Sequence, residues 1–126
     1  MTVEELLRSL GIPGNYVGFK QLVLATQLAV EDEDRILNMY NSIYETVAKE
    51  FGSSPKNVEK NIRMVIHSAW EKQYSRNQFS MLAGYPYMER PTASEFLDVV
   101  STYSRKHMVG CKQNICWFCT VKKQLV

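Results

Sequence analysis

No run of about 18 apolar residues occurs in the chain. The longest apolar-rich piece, FKQLVLATQLAV, is interrupted by polar side chains, so no membrane span is expected. Cysteine is scarce and confined: all three lie in CKQNICWFC, which excludes a disulfide framework across the fold. Histidine occurs only as His67 and His107, with no serine or cysteine nucleophile motif nearby and no glycine-rich phosphate loop. Catalysis is therefore not expected, and no cofactor is implied. The formal net charge is only +2, too small in itself to argue for a polyanionic partner. The N-terminus MTVEELLRSLG puts acid before base and lacks the order of a signal peptide, which points to a cytoplasmic protein.

What is present fits one folded domain. Of 126 residues, 45% are hydrophobic and 22% charged, the ordinary globular balance. No stretch alternates at period two, no repeat is visible, and helical patterns follow one another. Thr2 and Glu5 have capping-box spacing, Leu6, Leu7 and Leu10 form an apolar edge, and Gly11 is placed to end a first helix. GIPGNYVGF interrupts, and KQLVLATQLAV resumes as the second. The acidic run Glu31 to Asp34 precedes a stripe of Ile36, Met39, Tyr40, Ile43, Val47 and Phe51, predicting a third helix that stops at Gly52. Carboxylates at a helix start satisfy free N–H groups, so capping is preferred to a metal site for that run. A fourth helix is predicted from Pro55 to about Gln73. A shorter apolar pattern follows in RNQFSMLAGY, and a last helix, in RPTASEFLDVVSTYSRKH, opens with Thr92 and Glu95 at capping-box spacing. The fold class is all-α, a compact bundle of about five to six helices.

The third and fourth helices have the spacing of a helix-turn-helix. Ala48 is small where two helices approach, Gly52 suits a left-handed turn, and Val58 locks the second helix onto the first. Ser54 can cap the second helix, and Pro55 suits its first position. At about 100° per residue, Val58, Ile62, Val65, Ile66 and Ala69 share one face, while Lys56, Lys60, Arg63 and His67 lie almost opposite. A basic outer face near a helix N-terminus is what base edges and phosphates in a major groove require, although any surface helix shows charge to solvent. Asn61 stands where many such motifs keep an apolar residue.

LGIPGNYVGFKQLVLATQLAVEDEDRILNMYNSIYETVAKEFGSSPKNVEKNIRMVIHSAW, followed by GYPYMERPTASEFL, resembles the C-terminal effector domain family of sporulation initiation response regulators of the stage zero sporulation protein A type. The similarity runs from about Leu6 to about Lys106. Its most specific parts are G-I-P-x-x-x-x-G-F, V-E-K-x-I-R with the closing A-W, and P-T-x-S-E-F. The resemblance implies an all-helical transcription regulator whose helix-turn-helix enters the major groove of double-stranded DNA. It also implies head-to-tail pairs on adjacent sites, hence a homodimer on tandem sites. Glu59 and Arg63 match positions that face bases in the family, and Lys60 stands where the family usually has arginine. Lysine there is a mobile point charge instead of a planar fork, and Asn57 replaces a usual basic residue, so the preferred site is expected to differ from the family's. The expected DNA-binding set is Ser54, Lys56, Asn57, Glu59, Lys60, Arg63 and His67. The competing reading is a protein-protein interaction module that keeps the fold without specific DNA binding.

The resembled regulators carry an N-terminal receiver domain. No βα alternation here could encode one, and Met1 leading straight into a capped helix favours a stand-alone regulator. Residues 1–106 are read as the effector-like domain and 107–126 as a cysteine-containing C-terminal extension. His107, Cys111, Cys116 and Cys119 are candidate zinc ligands, but there is a single C-x-x-C and the other spacings are irregular. Trp117 and Phe118 as apolar anchors, docking the tail or joining two chains, are the preferred reading.

Overall fold

The computed structural model describes residues 2–12 and 17–107, and among these there is no strand. The expected capping box opens α1 (Val3–Ser9): Thr2 Oγ1 accepts the Glu5 N–H at 3.0 Å, and Glu5 Oε1 accepts the Thr2 N–H at 2.9 Å. Gly11, at φ 86°, turns the chain away, and its carbonyl accepts from the Lys72 ammonium at 3.0 Å. Leu6, Leu7 and Leu10 are buried, as their spacing predicts.

The central element, α2 (Val17–Glu31), packs against both α4 (Pro55–Trp70) and α6 (Ala93–His107). It starts earlier than the glycine-rich reading of this region predicts. Gly18 lies inside the helix, and it is there for proximity: a Cβ would sit 2.6 Å from Val65 Cγ2 and 3.0 Å from the Asn61 carbonyl oxygen. Pro13 to Tyr16 lie outside the described residues.

The third predicted helix is helical throughout, but its geometry changes along its length. A 3₁₀ segment (Glu33–Asn38) leads into a π turn (Tyr40–Tyr44) and then into α3 (Glu45–Phe51). Asp32 Oδ1 accepts the Asp34 N–H at 3.1 Å, which is the capping role expected of the acidic run, and Glu33 lies 3.5 Å from Arg105 on α6. Each wider π turn shifts the facing of later side chains. Ile43 and Val47 are buried, as the predicted stripe has them, and Tyr44 is buried beside them, while Tyr40 and Phe51, also predicted on the stripe, are exposed.

The fourth predicted helix ends slightly early, and the shorter apolar pattern after it forms a helix of its own. α4 spans Pro55–Trp70, Lys72 is extended, and Gln73 opens α5 (Gln73–Ala83), which Gly84 closes at φ 87°. The Thr92 and Glu95 capping box then opens α6 (Ala93–His107). The Phe79 ring stacks on Phe96 at 5.2 Å and meets Trp70 and Tyr87 edge-on, tying α4, α5 and the segment after α5 to α6. From the far end of α6, Arg105 donates to the Ala29 carbonyl at 2.8 Å. α4 packs against α2, α3, α5 and α6, with its outer face left to solvent.

Candidate nucleic-acid interface

The turn between α3 and α4 follows from its residues. Gly52 sits at φ 61°, ψ 39°, the left-handed conformation that a side chain disfavours, and the Ser53 N–H reaches back to the Ala48 carbonyl at 2.9 Å. Ser54 is extended, its Oγ accepts the Asn57 N–H at 3.2 Å, and Pro55 occupies the first turn. The Ser54 hydroxyl uses a lone pair in this cap and keeps its proton for an outside acceptor. Ala48 and Val58 are both buried at the crossing of the two helices.

Every residue assigned to the inner face of α4 is buried: Val58, Ile62, Val65, Ile66 and Ala69. Ser54, Lys56, Asn57, Lys60, Arg63 and His67 are exposed, and Glu59 is half-buried. Asn61 is polar for a reason that lies 40 positions away in sequence. Its Nδ2 donates to Oε1 of Gln21 on α2 at 3.0 Å, and Gln21 is itself buried. The two amides satisfy each other where an apolar pair would otherwise pack.

The outer face falls into two parts. Lys56 and Lys60 make no ion pair among the described residues, whereas Arg63 lies 3.8 Å from Glu59 one turn earlier. The Arg63 side chain is 60% exposed and that of Glu59 41%, so the pair orients the guanidinium at little cost to its binding energy. Glu59 and Arg63 border a cleft of about 450 Å³ together with Tyr44, Arg90 and Thr92. Burial raises the Tyr44 phenol to about 12, with the Glu59 carboxylate adding to the rise and the Arg63 guanidinium opposing it. His67 is less free than its place on the outer face suggests. Its Nδ1 takes a hydrogen bond from Arg90 Nη1, and its Nε2 lies 3.5 Å from Glu71.

Residues 3–103 match the family described as Sporulation initiation factor Spo0A C terminal. The chain belongs to this family. The Spo0A C-terminal domain is a helical, DNA-binding effector domain of a response regulator that controls transcription in sporulation, and it is not an enzyme family. The matched residues take in α1 through most of α6, including the whole α3–α4 pair. Among the described residues, no helix is long and apolar enough to cross a membrane.

Arg90 and Tyr44 are the residues at this surface that sequence reasoning missed. Tyr44 is turned inward by the π turn, and Arg90 belongs to a segment between helices with no helical face to mark it. Of the candidate zinc ligands, His107 is the last residue of α6, and its ring stacks on Tyr103 at 4.2 Å. Cys111, Cys116 and Cys119, with Trp117 and Phe118, lie outside the described residues.

Proposed function

We propose that this chain binds double-stranded DNA sequence-specifically, with α4 as the helix that enters the major groove. One observation carries the reading. α4 buries its whole apolar face behind a tight left-handed turn and presents Lys56, Lys60 and Arg63 to solvent at its open end. Arg63 reads a base edge, the two-pronged contact that guanidinium makes to guanine. Glu59 orients Arg63 and faces the bases beside it. Lys60 lies on the same outer face and supplies a point charge. Ser54, Lys56 and Asn57, at the first turn, serve the phosphates, where free backbone N–H groups also point. The binding takes place in the cytoplasm, on tandem sites occupied by two copies.

Selection of bound duplexes from a random library tests this directly. Enrichment of one defined motif is expected, and an unenriched pool would overturn the reading. Lys60→Arg is expected to tighten binding to a family-type site more than to random duplex, because it restores a planar fork where the family usually has one. Titration of both duplexes at one salt concentration checks it; equal tightening would show that residue 60 touches only phosphate.

A further inference from the structure

Arg90 comes from the segment between α5 and α6, 23 positions from His67, yet its guanidinium lies against the outer face of α4. It borders two hollows, each of about 450 Å³, and shares both with Arg63. We infer that Arg90 is an additional DNA-contacting residue, which grips a backbone phosphate beside the bases that α4 reads, with His67 as the side chain that positions it. The inference rests on the DNA-binding reading of α4.

Three features support it. The first is charge. Arg8, Arg63 and Arg105 each lie within 4.0 Å of a carboxylate, whereas Arg90 has none among the described residues. Its partner is His67 Nδ1, which accepts the Arg90 N–H through its lone pair. An imidazole brings no negative charge, so it orients the guanidinium and leaves its positive charge unspent. The second is stiffness. Pro91 disfavours helical geometry at Arg90, and Thr92 immediately begins the capping box of α6, so the stem of Arg90 is fixed two residues from a 15-residue helix. A fixed planar fork loses less freedom on binding phosphate than a swinging lysine does. The third is location. Of the acids on the outer side of α4, Glu59 is engaged by Arg63 and Glu71 faces Nε2 of the His67 ring. An anion entering beside Arg63 meets two guanidinium groups.

A phosphate contact carries no sequence information, and this separates Arg90 from Arg63. The test measures binding of the full chain to its selected duplex and to a scrambled one over a range of salt concentrations. For R90Q and R90A, log K against log salt is expected to flatten by about 0.9 on both duplexes, one phosphate's worth, with selectivity unchanged. R90K keeps a cation and is expected to keep the slope. A wild-type chain that binds steeply, with R90Q and R90A showing the same slope, would overturn the inference and leave the functional reading standing. A wild-type chain with no salt-dependent binding would overturn both.

Discussion

Gly18→Ala is expected to destabilise the domain by about 1–3 kcal/mol, the usual cost of forcing an extra methyl into a packed contact. Two effects compete. Replacing a helical glycine by alanine normally favours the folded state by up to about 1 kcal/mol. Here the new Cβ would stand 2.6 Å from Val65 Cγ2 and 3.0 Å from the Asn61 carbonyl oxygen. Val65 is β-branched and held to few rotamers, and a carbonyl in the middle of α4 can move only with the helix. The clash therefore wins, and relieving it means pushing α4 away from α2, the helix that supports its reading face. Denaturant unfolding of the variant measures the effect; equal or higher stability would contradict the close approach of these two helices.

Arg63→Ala is expected to cost about 1–3 kcal/mol of binding to the preferred duplex and to relax selectivity at one base pair. Its side chain is 60% exposed and its pairing with Glu59 is a surface contact, so little folding stability should go with it. The loss should therefore appear in binding and not in melting. Titrations against the preferred duplex and its single-base variants check this. Unchanged affinity and selectivity would remove Arg63 from the reading face.

The helix-turn-helix was legible in the sequence because its signals are local. A cap, a first-turn proline, a left-handed glycine and a buried face recurring every three or four residues each depend on near neighbours, and Ser54, Pro55, Gly52 and the Val58–Ala69 stripe all sit where those rules put them. The features that were not legible depend on distant partners. Asn61 is explained by Gln21, Gly18 by Val65, and Arg90 by His67. A glycine in a sequence can mark a turn or a close approach, and only the neighbouring helix decides which. The π turn is similar in kind: nothing in YNSIY announces a wider turn, yet Tyr44 is buried there and Tyr40 exposed, and both line the cleft beside Arg63. The break between α4 and α5 has neither glycine nor proline to mark it, so the predicted end of the fourth helix, about Gln73, overshoots the observed one at Trp70.

Binding of the chain to duplex DNA should weaken steeply as salt rises. With Lys56 and Arg90 each neutralising a phosphate, log K should fall linearly with log salt at a slope of about −2, and a selected duplex should stay tighter than a scrambled one throughout. Failure to bind duplex at low salt, or binding that ignores salt concentration, would contradict it and favour a protein-binding surface on the same helix.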